Sequence, residues 1–387
     1  MKTAEAGPPR VLHLHSTFNA GGKELRAVRL MNAFGNKLHH TVVSAEADRM
    51  EAATRLDKSI QVSFPKDFPS LKGKPTPGRL QKIAKAMQGF DLILTYNWGA
   101  MDAVMAHTLF AQALSLPPLV HHEDGFNADE IHKLKKTRNW FRRIALGRTA
   151  TLVVPSEKLE GIALVDWQQP IGRVTRIPNG IPTRAYAKKP KPDAIRGVVK
   201  RKGEHWVGTV AGLREVKNLP RLVRAFAPLP SEWQLVILGE GPERQAIRDT
   251  ADELGIAHRV HLPGFVADPS AAVGLFDIFA LSSDSEQFPL SVVEGMAAGL
   301  PISAPDVGDV KHIVSEENLP YISPSGNVER LSENLFELAS DRLLRTKLGE
   351  ANRQRALGEF DEKAMITAYG RLYGRWLELE GLARETA

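Results

Sequence analysis

The stretch DIFALSSDSEQFPLSVVEGMAAGLPISAP, Asp277 to Pro305, sets an apolar run, a polar turn, an apolar helical pattern and a second apolar run in immediate succession. The order is strand, loop, helix, strand, the repeating unit of a parallel sheet covered on both faces. Two carboxylates, Glu286 and Glu294, stand in it with seven residues between them. Phe288-Pro289 interrupts the run after Glu286, and proline is tolerated in a first helical turn, so the helix is expected to begin near Pro289 or Leu290. Glu286 then belongs to the loop at a strand's carboxyl end, and Glu294 lies about one turn inside the helix.

Outward from this unit the same rhythm recurs. RVLHLH, HHTVVSA, DLILTY, PPLVHH and TLVVPS form one series of short Val/Ile/Leu-rich runs, and HWVGTVAGL, WQLVILG, RVHLPGF, DIFALSS and LPISAP form a second. Between the two series, RIPNGIPTRAYAKKPKPDAIRGVVKRKGEH reads as a linker from its prolines and lysines. The expectation is an α/β protein of two doubly wound domains, joined near residues 180 to 203 and facing each other across a cleft. Ligands of such sheets bind at the carboxyl ends of strands. Beyond Phe360, Met365, Ile366, Tyr369, Leu372, Tyr373 and Trp376 recur at helical spacing and read as a packing stripe.

A chain of 387 residues with 43% apolar and 25% charged residues suits two globular domains and excludes a disordered one. No cysteine is present, which removes disulfides, thiolate metal sites and a catalytic thiol together. MKTAEAGPPR has no apolar signal core, and no apolar run approaches the roughly 20 residues of a membrane span, so a cytoplasmic protein is expected. Residues 1 to 190 hold 28 Lys/Arg against 16 Asp/Glu, the remainder 23 against 29. The basic half points to an anionic partner on that side: nucleic acid, a phosphate-bearing acceptor or an acidic membrane surface.

The chemistry-bearing residues fall at strand ends. In HSTFNAGGKELRAVRL, Gly21 and Gly22 open a helix whose N-terminus can meet a phosphate. LVHHEDGFNADE crowds His121, His122, Glu123 and Asp124 into a strand-to-helix loop, without the i, i+4 pairing of a helical metal site. GLREVKNLPRLVRAF sets Arg214 and Lys217 where both cations can close on a diphosphate. LGEGPERQAI adds Gly239 and Gly241, which give room for close approach. The N-terminus of the helix after Pro289 lies between Glu286 and Glu294 and favours an anion, while each carboxylate can accept two hydroxyl hydrogen bonds. Two diol readers flanking a phosphate site describe a nucleotide sugar, ribose at one carboxylate and hexose at the other.

SEQFPLSVVEGMAAGLP, preceded by GLREVKNLPRLVRAF, LVILGEGPE and VHLPGFV, and with AGGKE, VPS and IPNGI in order upstream, resembles glycosyltransferase family 4 over nearly the whole chain. The resemblance implies the GT-B fold: residues 1–185 as an acceptor-side Rossmann-like domain, 186–360 as a nucleotide-sugar-binding one, and 361–387 as a helix returning to the first. It implies retaining hexose transfer from a nucleotide diphosphate sugar, a UDP-sugar first and GDP or ADP sugars as alternatives, with no metal required. Glu286 would contact the hexose, Glu294 the ribose, and Arg214 and Lys217 the diphosphate. Gly239 and Gly241, the backbone around Val266, and Phe288, Pro289, Leu290 and Ser291 would line the donor site, with Gly21 and Gly22 approaching the phosphate. Two departures stand out. Gln287 occupies a position where many members have glycine, and Asp124 one where many have histidine, so Asp124, His121 and Glu123 are all candidates to steady the reacting sugar.

The acceptor is expected to be a carbohydrate or a lipid-linked sugar of bacterial surface polysaccharide or glycolipid synthesis; base, hexose and oligomeric state stay open. The rivals are a nucleotide-sugar epimerase or phosphorylase on the same architecture and, from another class, a nucleic-acid-binding protein. Scattered basic residues without an aromatic-interleaved platform argue against the last. HKLKKTRNWFRRIALGR, His132 to Arg148, carries Lys133, Lys135, Lys136, Arg138, Arg142, Arg143 and Arg148 around Trp140 and Phe141, with Ile131, Leu134, Ile144 and Leu146 available to face inward. That composition suits peripheral contact with an anionic membrane or, equally, a solvated domain helix.

Overall fold

The computed structural model describes residues 7–126, 130 and 134–382. The chain divides into two compact units: one takes the sequence up to Pro178 and again from Met365, and the other runs Asn179–Ala364.

The first unit is built on strands β1 Arg10–His15, β2 His39–Ser44, β3 Val62–Ser63, β4 Leu92–Tyr96, β5 Leu119–His122, β6 Thr151–Val154 and β7 Val174–Arg176. They pair in the order β3-β2-β1-β4-β5-β6-β7, every pair parallel. Its helices up to β7 are α1 Gly22–Phe34, α2 Pro77–Ala86, α3 Met101–Leu114, α4 Lys136–Ala145 and α5 Glu157–Val165. Because successive side chains of a strand face opposite ways, the sheet sorts its residues into two cores. Leu12, Leu14, Ile93, Leu119, Leu152 and Val154 join one cluster with Ile83 of α2, Val104 of α3 and Leu159 of α5. Val11, Leu92, Leu94, Tyr96, Val120 and Val153 join another with Val28 and Met31 of α1.

The second unit has β8 His205–Val210, β9 Trp233–Leu238, β10 Val260–Gly264, β11 Ile278–Ala280, β12 Ile302–Pro305 and β13 Ile322–Ser323, ordered β10-β9-β8-β11-β12-β13 and again all parallel. Helices α6 Leu219–Phe226, α7 Arg244–Glu253, α8 Leu290–Ala297, α9 Val310–Ile313, α10 Val328–Ser340 and α11 Arg342–Glu359 cover it. Helix α12, Glu362–Leu377, crosses the boundary between the units. From Met365 onward it belongs to the first, where Met365, Tyr369 and Tyr373 complete the α1-side core and Ile366, Leu372 and Trp376 pack against it.

Both sheets reverse strand order once, between β1 and β4 and between β8 and β11. A crevice outside the carboxyl ends of the strands at such a switch point is where doubly wound sheets bind ligands. The loops after β1 and β4 carry Gly21, Gly22 and Asn97; those after β8 and β11 carry Arg214, Lys217 and Glu286.

Two expectations need correcting. The segment read as a linker is packed from Asn179 onward: Ile181, Tyr186 and Ile195 lie in the second unit's core, and Lys200 Nζ bonds Asp277 Oδ2 at 2.6 Å. Its lysines lie along an irregular, mostly exposed path that these few buried side chains pin to the core. The edge strands β3, β7 and β13, two or three residues each, are additional to the series read from the sequence. No helix among the described residues is long and apolar enough to cross a membrane.

Candidate active site

In the second unit the loops after β8 and β11 are laced together. Lys217 Nζ donates to Glu286 Oε1 at 2.5 Å, and Ser283 Oγ donates to the same oxygen at 2.6 Å. Ser282 Oγ donates to the Lys217 carbonyl, and the Asp284 N–H to the Val216 carbonyl. The Asp284 carboxylate is held in turn by Arg221, at 2.6 Å, and by Asn218 Nδ2, at 3.1 Å. Asn218, in the left-handed region at φ 43°, also caps α6 through its side chain. The ion pair therefore stands on a frame, and only one Glu286 oxygen is committed to it.

Arg214 is exposed at the start of this loop. Pro289 caps α8, which begins at Leu290, and Glu294 sits half-buried one turn in. Phe288 packs edge-on against Phe360, ring centroids 5.7 Å apart, and with Leu290 and Val266 lies against the core. What the first turn of α8 can offer an anion is the backbone N–H of Leu290 and Ser291 and the Ser291 hydroxyl, since Pro289 has no N–H.

Gly239 and Gly241 are required by the protein's own backbone. At φ +149° and +156°, an added Cβ would stand 1.8 Å from the Ala211 carbonyl oxygen and 2.4 Å from that of Leu213. What approaches them is the backbone after β8, tied by the Leu213 N–H to the Glu240 carbonyl and the Glu243 N–H to the Leu213 carbonyl. A further constraint went unread. Gly308, at φ +57°, leaves no room for a side chain against the Glu286 and Gln287 carbonyls, and the Asp309 N–H donates to Gln287 O.

In the first unit, Gly21 caps α1 and Gly22 is exposed, with nothing within 4 Å of the place a Cβ would take. Glu24 folds back so that its Oε2 would lie 2.7 Å from a Cβ on Gly21, and Lys23 pairs with it. The helix end therefore already carries a carboxylate as well as a lysine.

The HHED loop is sorted by the alternation of β5. His121 and Glu123 turn to the α3 and α4 side and are fully buried. His121 Nδ1 meets Thr95 Oγ1 at 2.8 Å, and Glu123 receives Arg142 Nε at 3.3 Å. Arg142, fully buried, also pairs with Glu130, and its guanidinium lies 4.8 to 5.3 Å from the rings of Trp98, Phe126 and Trp167. His122 and Asp124 turn to the α1 and α12 side. The His122 ring meets the Thr95 carbonyl through Nδ1 at 3.1 Å. A carbonyl only accepts, so Nδ1 carries the hydrogen, and in the neutral ring Nε2 accepts the Tyr373 hydroxyl at 2.8 Å. Burial, with Arg26 adding to it, lowers the His122 pKa to about 3.

Asp124 is gripped through both oxygens by Arg26, Nη2 to Oδ2 at 2.8 Å. Burial opposes ionisation of Asp124, but Arg26 outweighs it and holds the carboxyl below its usual range. Arg26 lies over the Tyr369 ring at 5.5 Å. Of the three candidates to steady a sugar, Asp124 alone keeps part of its side chain exposed, at 12%. Of its neighbours, Arg26 escaped the sequence reading and Tyr369 and Tyr373 were read only as a packing stripe, because they come from segments about a hundred and about 250 residues away.

The basic helix is corrected in the same way. Arg142 is interior and Arg138 is bound to Glu130, whereas Ile144, expected to face inward, is exposed along with Trp140 and Arg143. Ile131, His132 and Lys133 lie outside the described residues.

With this geometry in place, the likenesses fall into line. Residues 20–185 match the model of Glycosyltransferase Family 4, and residues 191–355 that of Glycosyl transferases group 1. The chain belongs to glycosyltransferase family 4. A GDP-mannose-dependent alpha-mannosyltransferase of Mycobacterium tuberculosis is 25% identical over 312 residues, 76% of each chain. N-acetyl-alpha-D-glucosaminyl L-malate synthase of Bacillus anthracis is 25% identical over 197 residues, 50% of this chain and 52% of that one. A lipopolysaccharide core biosynthesis glycosyltransferase of Rhizobium meliloti, LpsE, is 27% identical over 40% of this chain and 45% of its own. The chain thus spans about half the length of the last two. Among solved structures, HepE of Anabaena in complex with UDP superposes with a TM-score of 0.77 at 19% identity, covering 95% of this chain and all of that one. WaaG, a glycosyltransferase involved in lipopolysaccharide biosynthesis, gives 0.69 at 18%, covering 94% and 100%. The two parallel sheets are those of the GT-B fold.

Proposed function

We propose that this family 4 member is a retaining hexosyltransferase that moves a sugar from a nucleotide diphosphate donor to an acceptor hydroxyl. The observation that carries the reading is the Lys217–Glu286 pair at the switch point of the second sheet. It supplies a cation for a diphosphate and, in the uncommitted Glu286 oxygen, an acceptor for a sugar hydroxyl.

Arg214 and Lys217 would neutralise the charge that gathers on the departing diphosphate, the electrostatic effect that contributes most to such catalysis, while Glu294 reads the ribose. The bond from the anomeric carbon to the diphosphate breaks, and its electron pair leaves with the phosphate. The acceptor oxygen bonds to the same face, and its proton leaves with the diphosphate. Asp124, anionic and with part of its side chain exposed, would favour the positive charge that the sugar ring develops. Arg214 and Lys217 would take the place of a metal. A UDP-sugar is the favoured donor, since HepE is complexed with UDP and with UDP-glucose; the mycobacterial relative, named as GDP-mannose-dependent, keeps a GDP-sugar as the alternative.

The acceptor fits a surface polysaccharide or glycolipid intermediate, the setting in which LpsE and WaaG are named. Trp140, 66% exposed on α4 beside Arg143 and Ile144, supports peripheral contact with an anionic cytoplasmic leaflet. Thermal unfolding with UDP-, GDP- and ADP-sugars tests the core of the proposal. A donor at 100 times its Kd should stabilise by about 2.7 kcal/mol. Activity should persist in EDTA; no stabilisation by any of the three classes, or activity abolished by EDTA and restored by magnesium, would sink it.

A further inference from the structure

Asn97, the first residue after β4, holds a backbone conformation that its residue type resists. Its φ is 53° and its ψ −172°, a region nearly reserved for glycine. Strain of this kind persists only where surrounding contacts over-determine it. Three contacts do so here. The Asn97 N–H donates to the His122 carbonyl at 2.8 Å, the Ala100 N–H closes the turn onto the Asn97 carbonyl, and Asn97 Oδ1 accepts the Asp124 N–H at 2.8 Å. Two residues on, Gly99 is jammed against the end of β1: a Cβ there would lie 2.2 Å from that of Ser16. The turn cannot relax toward ordinary dihedrals without leaving β1 or β5.

Glycine would fit this conformation at no cost, yet it would leave the Asp124 N–H without its acceptor. The asparagine thus accepts strain and contributes one thing that glycine lacks, a side-chain oxygen at Asp124. Arg26 fixes the carboxylate of that same residue through both oxygens, and Tyr369 backs Arg26. Backbone and side chain of Asp124 are therefore anchored independently, from β4 and from α1. We propose that Asn97 is a positioning residue that aims the Asp124 carboxylate at the reacting sugar. The proposal rests on the reading of Asp124 given above.

The test uses the full chain and three variants, N97G, N97D and D124N, with release of nucleoside diphosphate measured separately from UDP-glucose, GDP-mannose and ADP-glucose. N97G relieves the strain and removes the acceptor, so kcat should fall at least about tenfold while KM stays within about twofold and the melting temperature does not fall. N97D restores an oxygen at the same place and should recover kcat to within about fivefold of the wild type. A purely structural turn would show the opposite pattern, activity following the melting temperature. Wild-type kcat in N97G with D124N inactive would overturn the role of Asn97 and leave that of Asp124 standing. D124N with full kcat, or no release from any of the three donors by the wild type, would overturn both. Should N97G fail to fold, N97D decides: a folded N97D with kcat lowered more than about tenfold overturns the proposal, and one that retains kcat supports it.

Discussion

Acidification should unfold the first unit long before the second. Four histidines, His13, His15, His40 and His122, are buried on the α1 side of its sheet. His13 bonds Tyr96 and His40 at 3.1 and 3.0 Å, and His15 stacks on Tyr96 with ring centroids 4.0 Å apart. Burial lowers the pKa of all four, to about 4 for His40 and about 3 for His122. The unfolded chain takes these protons near pH 6.5, while the folded unit refuses them. Stability from this source is therefore complete above about pH 6.5 and drains as the pH falls toward the folded values. Between about pH 7.5 and pH 5, His40 and His122 each account for a loss on the order of 2 kcal/mol. The pair removes about 4 kcal/mol of the 5 to 15 or so that hold a typical domain, before His13 and His15 add to it. Asp124 gives no relief, since its depressed pKa keeps it charged throughout this window. In the second unit, among the described residues, only His261 is lowered in this way. Calorimetry in matched buffers at about pH 7.5 and pH 5 should show one transition moving steeply down and the other little. His122→Gln should flatten the dependence by up to about 1.4 kcal/mol per pH unit. Transitions that move together, or a flat profile, would overturn this account of the buried histidines.

Arg142→Gln strands Glu123 in the interior, leaves Glu130 to Arg138, and should cost about 3 to 5 kcal/mol in urea unfolding, against under about 1 kcal/mol for the exposed Arg143→Gln; equal effects would contradict the burial assigned here. Lys217→Ala should lower turnover at saturation more than donor affinity, because the charge it meets grows as the sugar departs, and calorimetric titration against steady-state kinetics separates the two. Glu294→Ala should chiefly weaken binding of the free nucleotide, and unchanged affinity would remove it from the ribose. Vesicles containing phosphatidylserine should sediment the protein in low salt, and Trp140→Ser with Arg143→Glu should release it; recovery in the supernatant regardless of anionic lipid would end the membrane proposal.

The alternation of apolar runs and helical patterns was enough to order the main strands, and the start of α8 at Leu290 follows from Pro289 alone, because these are local consequences of sterics and periodicity. The same local logic put Arg214, Lys217 and Glu286 at strand ends. It also held the information, unused, that His121 and Glu123 face one way along β5 and His122 and Asp124 the other. Both faces of a parallel sheet are buried, however, so no polar or apolar contrast marks which face carries which role. The short edge strands β3, β7 and β13 have too few residues to show a period. Gly239, Gly241, Gly99 and Gly308 look like turn residues in the chain, but each is forced by the backbone or side chain of a neighbouring strand end, a contact that exists only once the sheet is assembled. Arg142 is one arginine among many until Glu123, Glu130 and three rings close around it, and Tyr369 and Tyr373 read as a packing stripe until α12 sets them against Arg26 and His122. Sequence alone settled what the chain repeats every two or every 3.6 residues. Which charges are paired and which are left facing outward was settled by the assembled fold, because pairing depends on distances between segments that no local period encodes.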